Sequence, residues 1–265
     1  MESRTTLTDW FQDRGRVLLG YSGGVDSALL AVVGTRALGA EEFLAVIGRS
    51  ESFPEAQWRQ ARAVADQFGV PVLEIDTNEL ANPDYRANSP ERCYFCKSEL
   101  WARLTDIAAG SGFDTIIDGT HADDHGDHRP GSRAAAERRI RSPLAELGWT
   151  KAMIRAEARI LGLPIWDAPA APCLSSRIRY GLVVTPERLR QVELAEQFLR
   201  TLGIQGDLRV RHHDDVARIE VTPAMFVLVD TEWPAIESAL TALGFGRVER
   251  DGIGYRRGNL LPIAS

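Results

Sequence analysis

Between residues 15 and 120, short apolar runs alternate with longer stretches in which apolar positions recur every three or four residues. The runs at 17–19, 43–47, 70–75 and 115–117 have the length and bounding residues of buried strands. The stretches 26–37, 54–68 and 97–109 carry the helical period. Strand and helix in alternation predict an α/β fold, a doubly wound parallel sheet. Ligands of such sheets sit at the carboxyl ends of the strands. Two polar stretches fall there, one after the first strand and one after the fourth.

Beyond residue 150 the pattern changes. A helical stretch at 151–161 is closed by Gly162-Leu163-Pro164, and the following segment 164–172 carries Pro164, Pro169 and Pro172. Fixed proline φ angles predict a stiff, extended bridge there. Thr185-Pro186-Glu187 reads as a helix start, with a capping hydroxyl, proline in the first turn and then an acid. Leu189, Val192, Ala195, Phe198, Leu199 and Leu202 continue it at helical spacing, and Gly203 ends it. Segments 207–211 and 216–221 read as a hairpin around 212–215, followed by a helical pair and a last strand near 247–250. The expected organisation is a nucleotide domain over 1–175 and a smaller α+β domain over 176–265, the latter for substrate binding and oligomerisation.

The first polar stretch is Ser22-Gly23-Gly24-Val25-Asp26-Ser27, placed between strand and helix. Two glycines let successive N–H groups point into one concavity, and the positive end of the helix dipole faces the same spot. That geometry binds phosphate. Ser22 and Ser27 add hydroxyls, and Asp26 can hold Mg2+ or a pyrophosphate-bound water. An ordinary glycine turn needs neither the serines nor the aspartate. A Walker A loop is excluded, because no Gly-Lys-Ser/Thr follows. The string resembles the SGGxDS loop of the PP-loop ATP pyrophosphatases, which split ATP into AMP and pyrophosphate. The second polar stretch resembles their other nucleotide-contact region. Asp118, Gly119, Thr120 and Asp124 are its candidates for ATP and Mg2+, and Arg129 is a candidate phosphate contact. His125 and His128 read as residues of a solvated loop.

The chain has 265 residues, 44% of them hydrophobic and 26% charged, and a net charge of −6. An acidic balance offers no global attraction to nucleic acid, so none is expected as partner. No run approaches the roughly 18 apolar residues of a membrane span, and the amino-terminal residues lack a signal-like apolar stretch. A cytoplasmic location is expected. Three cysteines occur, Cys93 and Cys96 in a CxxC and Cys173 far beyond. Three chemistries compete for them: a [4Fe–4S] cluster on all three thiolates, a zinc site completed by a histidine, and sulfur donation by Cys173 with the CxxC pair redox-active or structural. Three buried thiols without a role are the bland alternative.

In Leu208-Arg209-Val210-Arg211, strand alternation places both guanidinium groups on one face, and arginine forks suit phosphate and carboxylate. A cross-strand ion pair with Glu220 on the hairpin partner is the structural alternative.

Taken together, the motifs resemble the LarE family of sulfur transferases across nearly the whole chain. The resemblance rests on Gly20–Ser27, on Arg92-Cys93-Tyr94-Phe95-Cys96-Lys97, on Asp118-Gly119-Thr120 with Arg129-Pro130-Gly131, and most on 166–178 leading to Tyr180-Gly181. Ser175 and Arg179 are mild departures from the family's usual Ala and Pro. What the resemblance implies is adenylation, by ATP, of a carboxylate of pyridinium-3,5-biscarboxylic acid mononucleotide. Sulfur then displaces AMP to give a thiocarboxylate for the nickel-pincer cofactor. It further implies that members with one cysteine, equivalent to Cys173, give up that side chain's sulfur, whereas three-cysteine members, as here, hold a [4Fe–4S] cluster on Cys93, Cys96 and Cys173 that carries an extra sulfide from a sulfide source, and it implies a homo-oligomer. Arg177, Arg209, Arg211 and Glu220 are implied to bind the mononucleotide. The alternative is a tRNA-thiolating PP-loop enzyme, which also uses three cysteines. It would need a broad basic surface, and Arg133, Arg138, Arg139 and Arg141 form the main basic cluster.

Overall fold

A computed structural model describes residues 6–124, 130–169 and 172–256. In chain order its elements begin with α1 (Leu7–Gln12), β1 (Val17–Gly20), α2 (Val25–Leu38), β2 (Phe43–Arg49), α3 (Glu55–Phe68) and β3 (Val72–Asp76). They continue with α4 (Pro83–Arg86), α5 (Arg92–Ser111), β4 (Thr115–Ile117), α6 (Pro130–Glu137), α7 (Pro143–Glu146) and α8 (Lys151–Ile160). The last are α9 (Pro186–Thr201), β5 (Leu208–His213), β6 (Val216–Val221), α10 (Phe226–Thr231), α11 (Trp233–Ala242) and β7 (Arg247–Arg250). The chain forms two compact units, one of 1–79 with 93–171 and one of 80–92 with 172–265.

The first unit is the expected α/β sheet, with strand order β3-β2-β1-β4 and every pair parallel. The side-chain period of two divides its core between the faces. Val17, Leu19, Ala45 and Ile47 join Ala28, Leu29 and Val64 of α2 and α3. Leu18 and Val46 turn the other way, onto Trp101 and Leu104 of α5. Val17, Leu18 and Leu19 are wholly buried, as a strand covered on both faces must be. Each such side chain contributes roughly 1.5–3 kcal/mol relative to exposure. Strands β2 and β4 lie on opposite sides of β1, so connections after β1 and β4 diverge and leave a crevice at their carboxyl ends.

Several expectations need correcting. Helix α5 begins at Arg92 rather than near 97, so Cys93 and Cys96 lie within its first turns. Residues 164–167 form turns, with Trp166 N–H donating to Leu163 and Ala168 N–H to Ile165; this half of the proline bridge is not extended. Proline fixes φ, which a turn tolerates as well as an extended chain does. The hairpin is tighter than expected, since β5 runs through His213 and only Asp214 and Asp215 turn, Asp214 at φ +62°.

The second unit holds a three-stranded sheet in the order β5-β6-β7, with β5–β6 antiparallel and β6–β7 parallel. Thr185 caps α9 through its hydroxyl, which accepts the Arg188 N–H at 3.3 Å. Ala195 and Leu199 of α9 pack with Val210, Ile219, Val229, Ile236 and Leu240.

His212 is buried in this core, its ring 5.0 Å from Phe245 and its Nε2 2.9 Å from the Gln191 Oε1 acceptor. Its Nδ1 has no hydrogen-bond partner among the described residues. Burial, followed by the charge of Arg188, lowers its pKa to about 4; Asp214 opposes the shift weakly and His213 adds to it. The unfolded chain therefore binds a proton near pH 6.5 that the folded one refuses. Stability is complete above that pH and falls as pH drops toward 4, by up to about 3 kcal/mol from this group. Urea unfolding at pH 7 and pH 4.5 should show the loss, and His212→Gln should shrink it; an unchanged difference would show that other groups carry it.

Candidate active site

The glycine loop sits at the carboxyl end of β1. Gly23 has φ +72°, and a Cβ there would lie 2.6 Å from the Ala61 Cβ, so position 23 has neither the dihedral nor the space for a side chain. The loop is braced from α3: Gln57 Nε2 donates to the Ser22 carbonyl at 2.7 Å, Gln60 Nε2 to the Gly23 carbonyl at 3.3 Å, and the Tyr21 hydroxyl to the Ala61 carbonyl at 3.0 Å. Gly24 starts α2 with no side-chain cap, which leaves the first N–H groups of a 14-residue helix facing the loop. Ser22 and Ser27 place their hydroxyls 3.2 Å apart, and Ser27 also donates to the Gly24 carbonyl. A glycine cradle with two hydroxyls and the Asp26 carboxylate fits a magnesium–polyphosphate group in its donor chemistry.

The segment after β4 closes on the same helix. A Cβ at Gly119 would stand 3.1 Å from the Ser27 nitrogen and 3.3 Å from the Asp26 Cβ. Asp118 is engaged in shaping this turn: its carboxylate accepts from Thr120 N–H at 3.0 Å, Thr120 Oγ1 at 2.9 Å and Ser142 Oγ at 2.7 Å. Asp124 is nearly buried, and its Oδ2 accepts the His121 N–H at 3.2 Å. Asp118, Thr120 and Asp124 line a cavity of about 350 Å³ with Ser132, Ser142 and Glu146. Arg129, His125 and His128 lie outside the described residues. One member of this site escapes the sequence reading: Lys151 Nζ donates to both Asp26 oxygens, at 2.6 and 2.7 Å. No spacing rule pairs residues that far apart in the chain.

Cys93 and Cys96 stand three positions apart on α5, a spacing that turns both thiols to neighbouring faces. Cys93 is exposed, and Cys96 and Cys173 are half-buried. Among the described residues no group of three or more His, Cys, Asp or Glu side chains is brought together to hold a metal. Cys93 and Cys96 belong to the first unit and Cys173 to the second.

In the second unit Cys173 precedes a short 3-10 helix, Leu174–Arg177, and its surroundings are well tied. Arg177 is 3% exposed; Nε and Nη2 form a fork on Glu196 at 2.9 and 3.1 Å, while Nη1 donates to the carbonyls of Pro172 and Cys173 and to Ser176 Oγ. Arg211 pairs with buried Glu220 at 2.9 Å and donates through Nη1 to the Ser176 carbonyl. The register sets Arg209 opposite Glu220, so the Arg211 pair is a diagonal cross-strand contact. Alternation is not visible in burial, because Leu208 through His212 are all buried. Arg209 lies 5.1 Å from the Tyr255 ring, and its pKa is lowered by burial and then by Arg177, with Arg211 adding and Glu196 and Tyr255 opposing. Three guanidinium groups thus crowd around Glu196 and Glu220, an electrostatic setting that favours an anion. Glu196 was hidden in the sequence among the charges of α9. Ser175, one of the departures from the family pattern, is wholly buried and 2.6 Å from the Tyr85 hydroxyl. Asn88 and Arg92 complete this hub: Asn88 Nδ2 donates to the Arg179 carbonyl at 2.8 Å, and Arg92 Nη1 to the Ser175 carbonyl at 2.9 Å.

Residues 5–109 match the NAD synthase family. An NH(3)-dependent NAD(+) synthetase of Chlorobaculum tepidum is 28% identical over 103 residues, 37% of each chain. An uncharacterized protein of Synechocystis is 43% identical over 256 residues, 96% of this chain and 95% of that one. The pyridinium-3,5-bisthiocarboxylic acid mononucleotide synthase of Lactiplantibacillus plantarum is 35% identical over 260 residues, 97% of this chain and 93% of its own. Similarity to the NAD synthetases stops with part of the nucleotide unit, whereas similarity to the synthase runs through both units, and this chain belongs to the synthase's family, the LarE family of PP-loop enzymes.

Proposed function

We propose that this protein is an ATP-dependent sulfurtransferase acting on pyridinium-3,5-biscarboxylic acid mononucleotide, in the synthesis of the nickel-pincer cofactor. A carboxylate oxygen of the substrate attacks the α-phosphorus of ATP, and the bond to the bridging oxygen breaks so that pyrophosphate leaves. A sulfide-level nucleophile then adds to the acyl carbon, the bond from that carbon to the AMP oxygen breaks, and AMP departs, giving the thiocarboxylate. The glycine loop, Ser22 and Ser27 hold the polyphosphate, and Asp26 holds the Mg2+ that neutralises its charge when bound. Asp118, Gly119, Thr120 and Asp124 shape the neighbouring wall. In the second unit, Arg177, Arg209, Arg211 and Glu220 serve the mononucleotide, whose phosphate and carboxylates suit crowded guanidinium groups.

For the sulfur centre, the three-cysteine pattern favours a [4Fe–4S] cluster on Cys93, Cys96 and Cys173. On this reading the thiolates of all three residues would hold the cluster, two from the first unit and one from the second. The observation that carries the reading as a whole is the braced glycine loop with Asp26 in the next helical turn, in a chain that aligns over 97% of its length with the named synthase. Incubation with ATP, Mg2+ and the mononucleotide should release AMP and pyrophosphate in equal amounts, dependent on the mononucleotide, and Asp26→Ala should stop the release. Formation of ADP and orthophosphate, or activation by tRNA in place of the mononucleotide, would overturn the reading.

A further inference from the structure

Lys151 stands where local energetics alone would not put it. It is the first residue of α8, and a cation at a helix N-terminus opposes the dipole; no acidic residue occupies that first turn. Its ammonium instead spans both oxygens of Asp26, with the two side chains 34% and 22% exposed. A partly exposed pair contributes little to stability, so folding gives a weak reason for a lysine here.

The frame around it is rigid. The Lys151 N–H donates to Asp123 Oδ2 at 2.7 Å, the Ala122 N–H donates to the Trp149 carbonyl at 2.9 Å, and Thr150 caps α8 by accepting the Met153 N–H. Ile154 and Ala158 of the same helix are wholly buried in one core with Ala28 and Leu29 of α2. The backbone at 151 is thus fixed beside the glycine loop, while the four-carbon side chain can swing.

We infer that Lys151 is a phosphate-binding residue held in reserve by Asp26: the ammonium neutralises the carboxylate in the nucleotide-free protein and moves to a polyphosphate oxygen when Asp26 turns to the magnesium–nucleotide. This rests on the reading of 21–27 as the ATP phosphate loop. The exchange keeps every charge paired in both states, so neither Asp26 nor the polyphosphate meets an uncompensated neighbour. It also assigns the two aspartates different duties, Asp26 to the metal and Asp123 to the backbone that carries the lysine.

Calorimetric titration of the full chain with ATP, with and without Mg2+, tests the exchange independently of turnover. Lys151→Met should weaken Mg·ATP binding by about 10- to 100-fold, the loss of one charge-assisted contact, and Lys151→Arg should restore most of it. Asp26→Asn should lose the response to Mg2+ yet bind metal-free ATP at least as tightly as the wild type, because the lysine is released. Circular dichroism of each variant reports folding. Unchanged Mg·ATP affinity in a folded Lys151→Met protein, or equal weakening of metal-free ATP by Asp26→Asn, would overturn the inference and leave the phosphate loop standing. Failure of the wild type to bind Mg·ATP at all would overturn both.

Discussion

Alanine at Cys173 is expected to reduce thiocarboxylate formation to background while mononucleotide-dependent pyrophosphate release persists, because adenylation needs no thiol. Cys173 is half-buried, and its carbonyl is gripped by Arg177, so the change removes a sulfur from a segment held mainly through its backbone. The companion variants separate the two sulfur chemistries. On the cluster reading, protein purified without oxygen holds about four irons per chain, and Cys93→Ala, Cys96→Ala or Cys173→Ala each lose most of it and all turnover with sulfide. Iron analysis and product counts per chain measure this. On the sacrificial reading, Cys93→Ala stays active, and mass spectrometry finds Cys173 converted to dehydroalanine after a single turnover. The second result would remove the cluster from the proposal and leave the adenylation chemistry intact.

Arg211→Ala is expected to destabilise the second unit by about 3–5 kcal/mol, the cost of removing one member of a buried ion pair. Glu220 is 1% exposed, and its Oε2 accepts from Arg211 Nε at 3.0 Å. Equilibrium urea unfolding measures the change. Arg211→Met combined with Glu220→Leu should recover most of the loss, since a buried pair replaced by apolar volume is often neutral. A loss below about 1 kcal/mol from Arg211→Ala would show that Glu220 is compensated by other groups. The result also bears on function. Weaker mononucleotide binding by Arg211→Ala mixes lost contact with lost structure, so the urea midpoint of the variant is read beside its ligand affinity.

Much of the nucleotide unit was legible because its signals are local. A strand buried on both faces must be apolar throughout, and Val17-Leu18-Leu19 is. Gly23 sits in a dihedral region that favours glycine, and Thr185-Pro186-Glu187 caps a helix by contacts within four residues. The start of α5 was less legible: Arg92 to Lys97 is polar and cysteine-rich, yet it is helical, because tertiary packing overrides weak propensity.

The sequence by itself determined the four strands of the first sheet with the helices between them, the glycine loop that joins β1 to α2, and the inventory of thiols and arginines, since each depends on neighbours along the chain. Only the tertiary structure decided which charges meet. Asp26 with Lys151, Arg177 with Glu196, and the Tyr85 hydroxyl with Ser175 are separated by 125, 19 and 90 positions. Likewise only the fold places 80–92 in the second unit. Hydrophobic periodicity reports which face of an element is buried, but a charged side chain carries no periodic mark of its partner. Its pairing follows from how whole helices and strands pack, and that packing is where Lys151 becomes part of the site.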